Sequence, residues 1–418
     1  MGKDAIIIGG SIGGLMCGVM LKHHGYNVTI LEQEISPRRE GYDAGIKVGP
    51  ANEQFLKRHD RVKRDMIIKC DPGFMIDANG SLKPQRGQTM LMTSWGLMVS
   101  VLRANFDGLT STAVPVAPEP EATDGKADFR IGTRVTGLED AGGKVKVKVW
   151  NANSNSTETV TADIAIVADG SNSKMRQMLL PDVKREYSGY MCWRGTVCEG
   201  DIDEKWNSIY SEKATFHLMD RTYLLNYTIP TDNGNLDKDQ RLHNWIWYSN
   251  QPPSSPDMTT LFTDKNGTLH HGTVSRGLVR LDLWESQKQL AHAVLPPGLA
   301  AIVSSSKAPF VTKVYDVTST KASFFGGKVF LVGDAKTTLR PNVGMGTTHA
   351  ANDCNELEKV IEASVTPEQW ERAVLRWGAA QRRFAIAISA YTLGTRVEVV
   401  WAGLCWLGLL LGQSIGIF

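Results

Sequence analysis

The sequence predicts a two-domain α/β (α+β) chain, and three observations carry that expectation. Near the N-terminus an apolar strand stops at a glycine cluster and runs straight into a helix, in "DAIIIGGSIGGLMCGVMLKHHGYNVTILEQE". From about Tyr187 to Val317 the texture changes to strand-like runs rich in aromatics, "GYMCWRGTV", "TYLLNYTIP" and "LHNWIWYSN". At "GGKVFLVGDA" the apolar parallel-strand style returns, and long helical patterns follow. A chain of 418 residues is also long for a single core.

Taken in order, "DAIIIGG" and "NVTILEQE" read as parallel strands around a helix from about Gly13 to His24. "SWGLMVSVLRANFDG" reads as a second amphipathic helix. "STAVPVAPEPEATDGKADF" reads as a surface loop, because proline and acidic residues break both periodicities. "KVKVKVW" alternates and predicts a half-exposed strand; "NANSNS" turns it into "TETVTADIAIVADG". The patterns divide the chain into 1–186, a nucleotide-binding part; 187–317, a β-rich insert; 318–375, the return of the first domain; and 376–418, a C-terminal helical segment.

Composition excludes several classes. With 46 basic and 44 acidic residues, no electrostatic footprint points to nucleic acid. The six cysteines are scattered, with no C-x-x-C and no His/Cys cluster. Disulfides and zinc are not expected, and a reducing, cytoplasmic setting is. The first strand begins within five residues of Met1, which leaves no room there for a targeting segment. Val399 to Phe418 carries no charge over twenty residues. That is long enough to cross a bilayer, although its four glycines, Gln413 and Ser414 weaken the pattern. A helix packed on the protein, at a dimer contact or on a membrane is the alternative.

Three separated segments carry the chemistry. In the first, Gly9 permits a tight turn and Gly14 a close helix, so that the helix N-terminus can face a pyrophosphate. Ser11 stands where the second glycine of G-x-G-x-x-G usually sits; it is small and keeps its N–H. Glu32, at the end of the second strand, suits ribose hydroxyls and repels a 2′-phosphate, which favours FAD or NAD over NADP as the held nucleotide. The second segment is "IAIVADGSNSKMR", with Asp169, Gly170, Ser173 and Arg176. The third is "VFLVGDAKTTLRPNVGMGTTHAAND", with Asp334, Pro341 and Gly346 and a helix starting near Thr347.

In this order the three segments resemble the class A flavoprotein monooxygenases, the single-component aromatic hydroxylases. "YDAGIKVGP", "TSWGLMVSVLR", "GYMCWRGTV", "NWIWY" and "GDAKTTLRPNVGMG" are similar to the subgroup typified by 2,6-dihydroxypyridine 3-monooxygenase, over nearly the whole chain. The resemblance implies a Rossmann-like FAD-binding domain with an inserted β-sheet substrate domain. It implies FAD held by Gly9, Ser11, Gly14, Glu32, Gly45, Arg103, Asp169, Gly170, Asp334, Gly346, Thr347 and Thr348, with NADPH or NADH as a transient co-substrate. It also implies oxygen transfer from a flavin C4a-hydroperoxide to an electron-rich aromatic small molecule. Arg340 and Pro341 are expected to shape the reactive face. Arg194, Trp245, Trp247 and Tyr248 are expected to wall the substrate cavity; strand alternation puts the two tryptophans on one face. His217, His243 and Tyr248 are candidate bases by position alone.

The chain departs from the family pattern in three places. Lys336 and Thr337 stand where a histidine commonly follows G-D-A. Trp95 stands where an arginine often opens the second helix, leaving Arg103 as its substitute. The apolar tail lies outside the pattern. An isoprenoid epoxidase on the same fold and a FAD redox protein without oxygenase activity are the rival expectations.

Overall fold

The computed structural model describes residues 2–36, 44–76, 81–85 and 87–414. Two sheets dominate it. The first has the spatial order Ser323–Phe324, Val329–Leu331, Ile164–Val167, Asp4–Ile8, Asn27–Leu31, Ala127–Arg130, parallel throughout except at the Ser323–Phe324 edge. The short, β-branched central strands are apolar on both faces, as a sheet covered on both sides requires. The expected loop at 111–129 ends instead in the strand Ala127–Arg130. That strand's "ADFR" carries too little apolar signal to announce itself.

Helix α1 (Ile12–His23) follows the first strand and α2 (Pro50–His59) the third, while α3 (Trp95–Asp107) packs beside α1. The short α4 (Lys174–Leu179) follows Ile164–Val167. An antiparallel three-stranded sheet, Thr133–Asp140, Val145–Asn151 and Ser156–Ala162, covers the other face. Val145, Val147 and Val149 are fully buried there, while Lys146 and Lys148 between them are exposed. Burying each such valine is worth roughly 1.5–3 kcal/mol.

The second sheet runs Thr273–Val274, Phe310–Thr318, Glu186–Cys198, Leu242–Asn250, Thr222–Ile229, Lys213–Met219, Ile68–Ile76, Met90–Ser94, Gly45–Val48. Its last three strands come from residues 45–94, so the sheet begins well before the texture change at Tyr187. These strands join because Lys213–Met219 offers a free edge to Ile68–Ile76, in parallel register. Residues 187–317 also hold four helices that aromatic-rich strand patterning hides. They are α5 (Glu204–Tyr210), α6 (Pro256–Phe262), α7 (Leu281–Val294) and α8 (Pro297–Ser304). They cover one face of the sheet and form a core with Trp193, Trp245 and Trp247.

The other face looks towards the parallel sheet, and α9 (Gly346–Ile361) and α10 (Pro367–Leu393) stand between them. A capping box opens α10: the amide of Gln369 donates to Thr366 Oγ1 and the amide of Thr366 to Gln369 Oε1. Helix α11 (Arg396–Ser414) turns back along α10. It is joined to α10 by the Phe384–Trp406 ring contact and by bonds between Arg376 and Gln413. Residues 415–418, the end of the uncharged tail, lie outside the described residues, as do Tyr42 and Asp43 of "YDAGIKVGP".

Candidate active site

A cavity of about 660 Å³ lies between the two sheets. Two helix N-termini open onto it. One is that of α1, through Ser11, Ile12 and Gly13; the other is that of α9, through Gly344, Met345, Gly346 and Thr347. Neither helix has a side-chain cap or an acidic residue in its first turn, so the first-turn amides and the positive dipole ends are left for an electron-rich group.

Backbone geometry makes the first of these ends possible. Gly9 adopts φ +105°, a left-handed conformation that costs other residues energy. A Cβ on Gly14 would run into the carbonyl of Gly9, so only glycine lets the helix close onto the strand. Glu32 is buried beside this loop. Its Oε2 accepts from the amide of Gly10 (2.7 Å) and its Oε1 from that of Glu34 (2.9 Å).

Asp169 and Gly170 follow the strand Ile164–Val167, and Gly170 lines the cavity. Asp169 Oδ2 accepts from the amides of Lys174 (2.9 Å) and Met175 (3.3 Å). Its Oδ1 is buried without a partner, and desolvation raises the carboxyl's pKa against those bonds. Arg176, fully buried, ties this turn to the third segment. Its guanidinium donates to the carbonyls of Ser171 (2.8 Å) and Ala335 (2.9 Å).

Asp334 lines the cavity and is exposed to it, although protein crowds its carboxyl. That desolvation pushes its carboxyl up to about 6, with Asp353 adding to the shift and Arg176 opposing it. Gly346, Thr347 and Thr348 follow, but the two threonine hydroxyls are spent on the protein. Thr347 donates to the carbonyl of Lys47 (2.9 Å) and Thr348 to Asn52 Oδ1 (2.8 Å). Asn52 in turn accepts from the amide of Gly49 (3.0 Å) and donates to the carbonyl of Thr347 (3.1 Å). What this turn offers the cavity is therefore its backbone. Gly45 lines the cavity too, its amide on Asn244 (3.0 Å) and its carbonyl under the Tyr227 hydroxyl (3.2 Å).

The remaining expected residues divide. Pro341 lines the cavity, and Asn342 after it is gripped by two tyrosines: Tyr190 donates to it (2.6 Å) and it donates to Tyr223 (2.8 Å). Arg340 turns away from the cavity. It donates to Asp316 (2.6 Å), a buried carboxylate that also takes Arg382 of α10 (2.6 and 3.1 Å). Arg103 does not reach the cavity either. It pairs with Asp107 (2.7 Å) and lies over the ring of Phe129 (3.6 Å). Trp95, at the start of α3, is the residue of that helix that lines the cavity.

On the large sheet, Arg194 and Ile246 face the cavity, and alternation sends Trp245 and Trp247 to the opposite side. There Trp245 stacks on Trp284 (6.2 Å, 7°) and donates to Ser306 (2.7 Å). Tyr248 shares the face of Ile246, but it is fully buried against Tyr223 (4.7 Å) and lies outside the cavity lining. His217 points to the carbonyl of Val294 (3.3 Å) and His243 to Asn207 (2.8 Å). Burial takes His243 down to about 4. Neither histidine lines the cavity.

Arg194 lines the cavity with its Nε buried and unpartnered, and it has no ion pair among the described residues. Sequence reading does not single out Lys47, Asn52 or Asn342, although Lys47 and Asn342 lie within quoted segments. Lys47 and Asn52 come from the segment between the first two motifs and meet the third only in the fold.

A cleft running from one helix N-terminus across Gly170 and Asp334 to a second fits an elongated dinucleotide, and the glycine cradle leaves room for nothing bulkier than backbone at its tightest point. Comparison with known proteins agrees. A family model described as FAD binding domain-like matches residues 187–316. The 2,6-dihydroxypyridine 3-monooxygenase of Paenarthrobacter nicotinovorans is 26% identical over 90% of this chain and 87% of its own. The FAD-dependent urate hydroxylase of Klebsiella oxytoca is 25% identical over 86% of this chain and 82% of its own. The solved structure of 2,6-dihydroxypyridine-3-hydroxylase from Arthrobacter nicotinovorans superposes with a TM-score of 0.78, at 23% identity over 94% of each chain.

The fold and cavity define a two-domain flavoprotein oxidoreductase. Within that class, the chain resembles the FAD-dependent aromatic monooxygenases represented by these relatives.

Proposed function

We propose that this chain is an NAD(P)H-consuming monooxygenase that hydroxylates an electron-rich aromatic small molecule, phenol-like or hydroxypyridine-like. One observation carries the reading: Arg194, which has no ion pair among the described residues and lies over the Phe310 ring, shares a single cavity with the two helix N-termini and Asp334. Gly9, Ser11 and Gly14 would hold the pyrophosphate end of FAD, Glu32 the ribose, and Asp334 with the Gly346–Thr348 backbone the flavin end. Bound FAD supplies the chemistry of accepting reducing equivalents and activating oxygen. Residues of the chain do the rest. Arg194 holds the substrate's oxygen as an anion, which makes the ring more nucleophilic. Pro341 and Asn342, clamped by Tyr190 and Tyr223, fix the loop at the reacting face. The aliphatic and thioether wall excludes water.

The test is anaerobic reduction of the holoprotein by NADPH and by NADH, followed by flavin absorbance, with and without a panel of phenols and hydroxypyridines. Bleaching accelerated by one compound class, with a ring-hydroxylated product in air, is the expected result. A flavin that neither nucleotide bleaches overturns the reading. An epoxide product would favour the isoprenoid rival.

We further propose the division 1–186 with 318–375 for the cofactor, 187–317 with the strands of 45–94 for the substrate, and 376–418 as a helical appendage. The appendage supports a second proposal, association of an otherwise cytoplasmic enzyme with a membrane face. Helix α11 is 19 residues long with mean hydropathy 1.4, and it exposes Val397, Val400, Trp401, Leu404, Leu407 and Leu411. Flotation with liposomes, compared with a chain ending at Gly394, tests it. A homodimer through the same face would show as concentration-dependent sedimentation instead.

A further inference from the structure

The walls of the cavity differ in chemistry. The turns of the parallel sheet and the start of α9 supply Ser11, Asp334 and backbone amides. The large sheet and α10 supply Met75, Met90, Met92 and Leu218, with Phe384 and Ile388 opposite. Two cations line the cavity from the large sheet, Lys47 on Gly45–Val48 and Arg194 on Glu186–Cys198. A small polar aromatic could satisfy Arg194 but would leave the rest of this wall against water, a loss that grows with the apolar area left uncovered. Three methionines in one wall suit a flexible apolar group, since thioether chains re-pack around irregular shapes.

The apolar surface also continues outward. Tyr391 lines the cavity and is 59% exposed, which places it at the mouth. Phe384 lines the cavity from inside, and its ring meets Trp406 of α11 at 5.1 Å. Trp406 thus joins the cavity wall to the helix that exposes Trp401, Leu404 and Leu411.

Resting on the hydroxylase reading above, we propose that the substrate is an aromatic that carries a hydrocarbon chain of several carbons. Its ring oxygen faces Arg194 and its chain lies along Met75, Met90, Met92 and Leu218. The chain leaves towards Tyr391, so the cavity takes an amphiphile from the same side on which the protein shows its apolar helix.

The experiment is a titration of the oxidised FAD holoenzyme with 4-alkylphenols from methyl to octyl, below their micellar concentrations, read from the perturbed flavin spectrum. Kd should fall about fourfold per added methylene over at least four carbons. In Leu218→Ser and Met90→Ser, each checked for flavin content and circular dichroism, the slope should flatten while the affinity for 4-methylphenol stays. A Kd indifferent to chain length overturns the proposal, and so does a slope that neither variant changes. The titration needs no turnover. Loss of the slope therefore strikes this proposal alone, whereas absence of any ring-oxygenated product strikes the hydroxylase reading.

Discussion

Lys336 Nζ lies 2.7 Å from Asp353 Oδ1, and both side chains are wholly buried. The other oxygen of Asp353 accepts from the amide of Gly333 at 2.8 Å, and Lys336 also donates to the carbonyl of Val374 (2.9 Å). Burial lowers the lysine's pKa and raises the aspartate's, each held back by the partner's charge. The pair thus nails the Gly333–Asp334 turn to α9 and α10. Lys336→Met removes one partner of a buried pair and should cost about 3–5 kcal/mol. Denaturant unfolding measures the loss, and a weaker FAD Kd should accompany it. Unchanged stability and unchanged flavin affinity would show that the pair does not set the turn.

Arg194→Met should weaken binding of a phenolate ligand about 10- to 150-fold, the worth of a hydrogen bond to a charged group at 1.5–3 kcal/mol. The loss should shrink for a ligand with no ionisable oxygen. Spectral titration of the holoenzyme across the ligand's own pKa separates the two. Equal losses for both ligands would remove the anion-holding role.

For Asp334 the folded carboxyl sits at about 6, against 3.8 when unperturbed. The folded state therefore binds more protons than the unfolded one between these values. Stability of the flavin-free protein should fall as pH rises from about 4 to about 6 and level off above. In Asp334→Asn that decline should be absent. Melting temperatures at pH 4.5, 5.5 and 7 decide it.

Glu358 behaves in the opposite sense. Burial works against its charge, but hydrogen bonds from His59 and His24 and the nearby charges of His59 and Arg58 outweigh it and take the carboxyl down to about 2. The distances are 3.2 Å to His59, 2.9 Å to His24 and 2.8 Å to Arg58. The stability it lends is present above about pH 4.5 and is lost as pH falls towards 2. Glu358→Gln should cost about 2–3 kcal/mol at pH 7 and little at pH 2.5. Urea midpoints at the two pH values check this, and an equal loss at both would contradict it.

Pro341→Gly frees the φ of the residue that follows Arg340. FAD should stay bound, while the ratio of hydroxylated product to NADPH consumed should drop. Oxygen and peroxide measurements give that ratio. Full coupling in the variant would strip Pro341 of its part in shaping the reacting face.

Local chemistry was legible in the sequence wherever one short segment does its own work. The glycine turn at Gly9 is needed by the strand and helix on either side of it, and the alternation of Val145, Val147 and Val149 reports a buried face directly. Less could be read where the partner is distant. Alternation puts Trp245 and Trp247 on one face, but which face meets the cavity depends on α7 and α8, whose packing no local pattern announces. Arg103 has the charge expected near a nucleotide, yet Asp107 one turn on and Phe129 across the gap claim it. Asn52 and Asn342 are ordinary polar residues until the fold brings Thr348 to one and two tyrosines to the other. The strands of 45–94 join the large sheet only through Ile68–Ile76, whose partner Lys213–Met219 lies more than a hundred residues away.

The two-armed grip of Asp316 has a consequence in time. Arg340, in the loop before α9, and Arg382, midway along α10, close on the same carboxylate although they lie far apart in the chain. Until α10 has been synthesised and docked, the loop lacks one of its two braces. A chain ending before Arg382 should therefore hold FAD less tightly than the full chain.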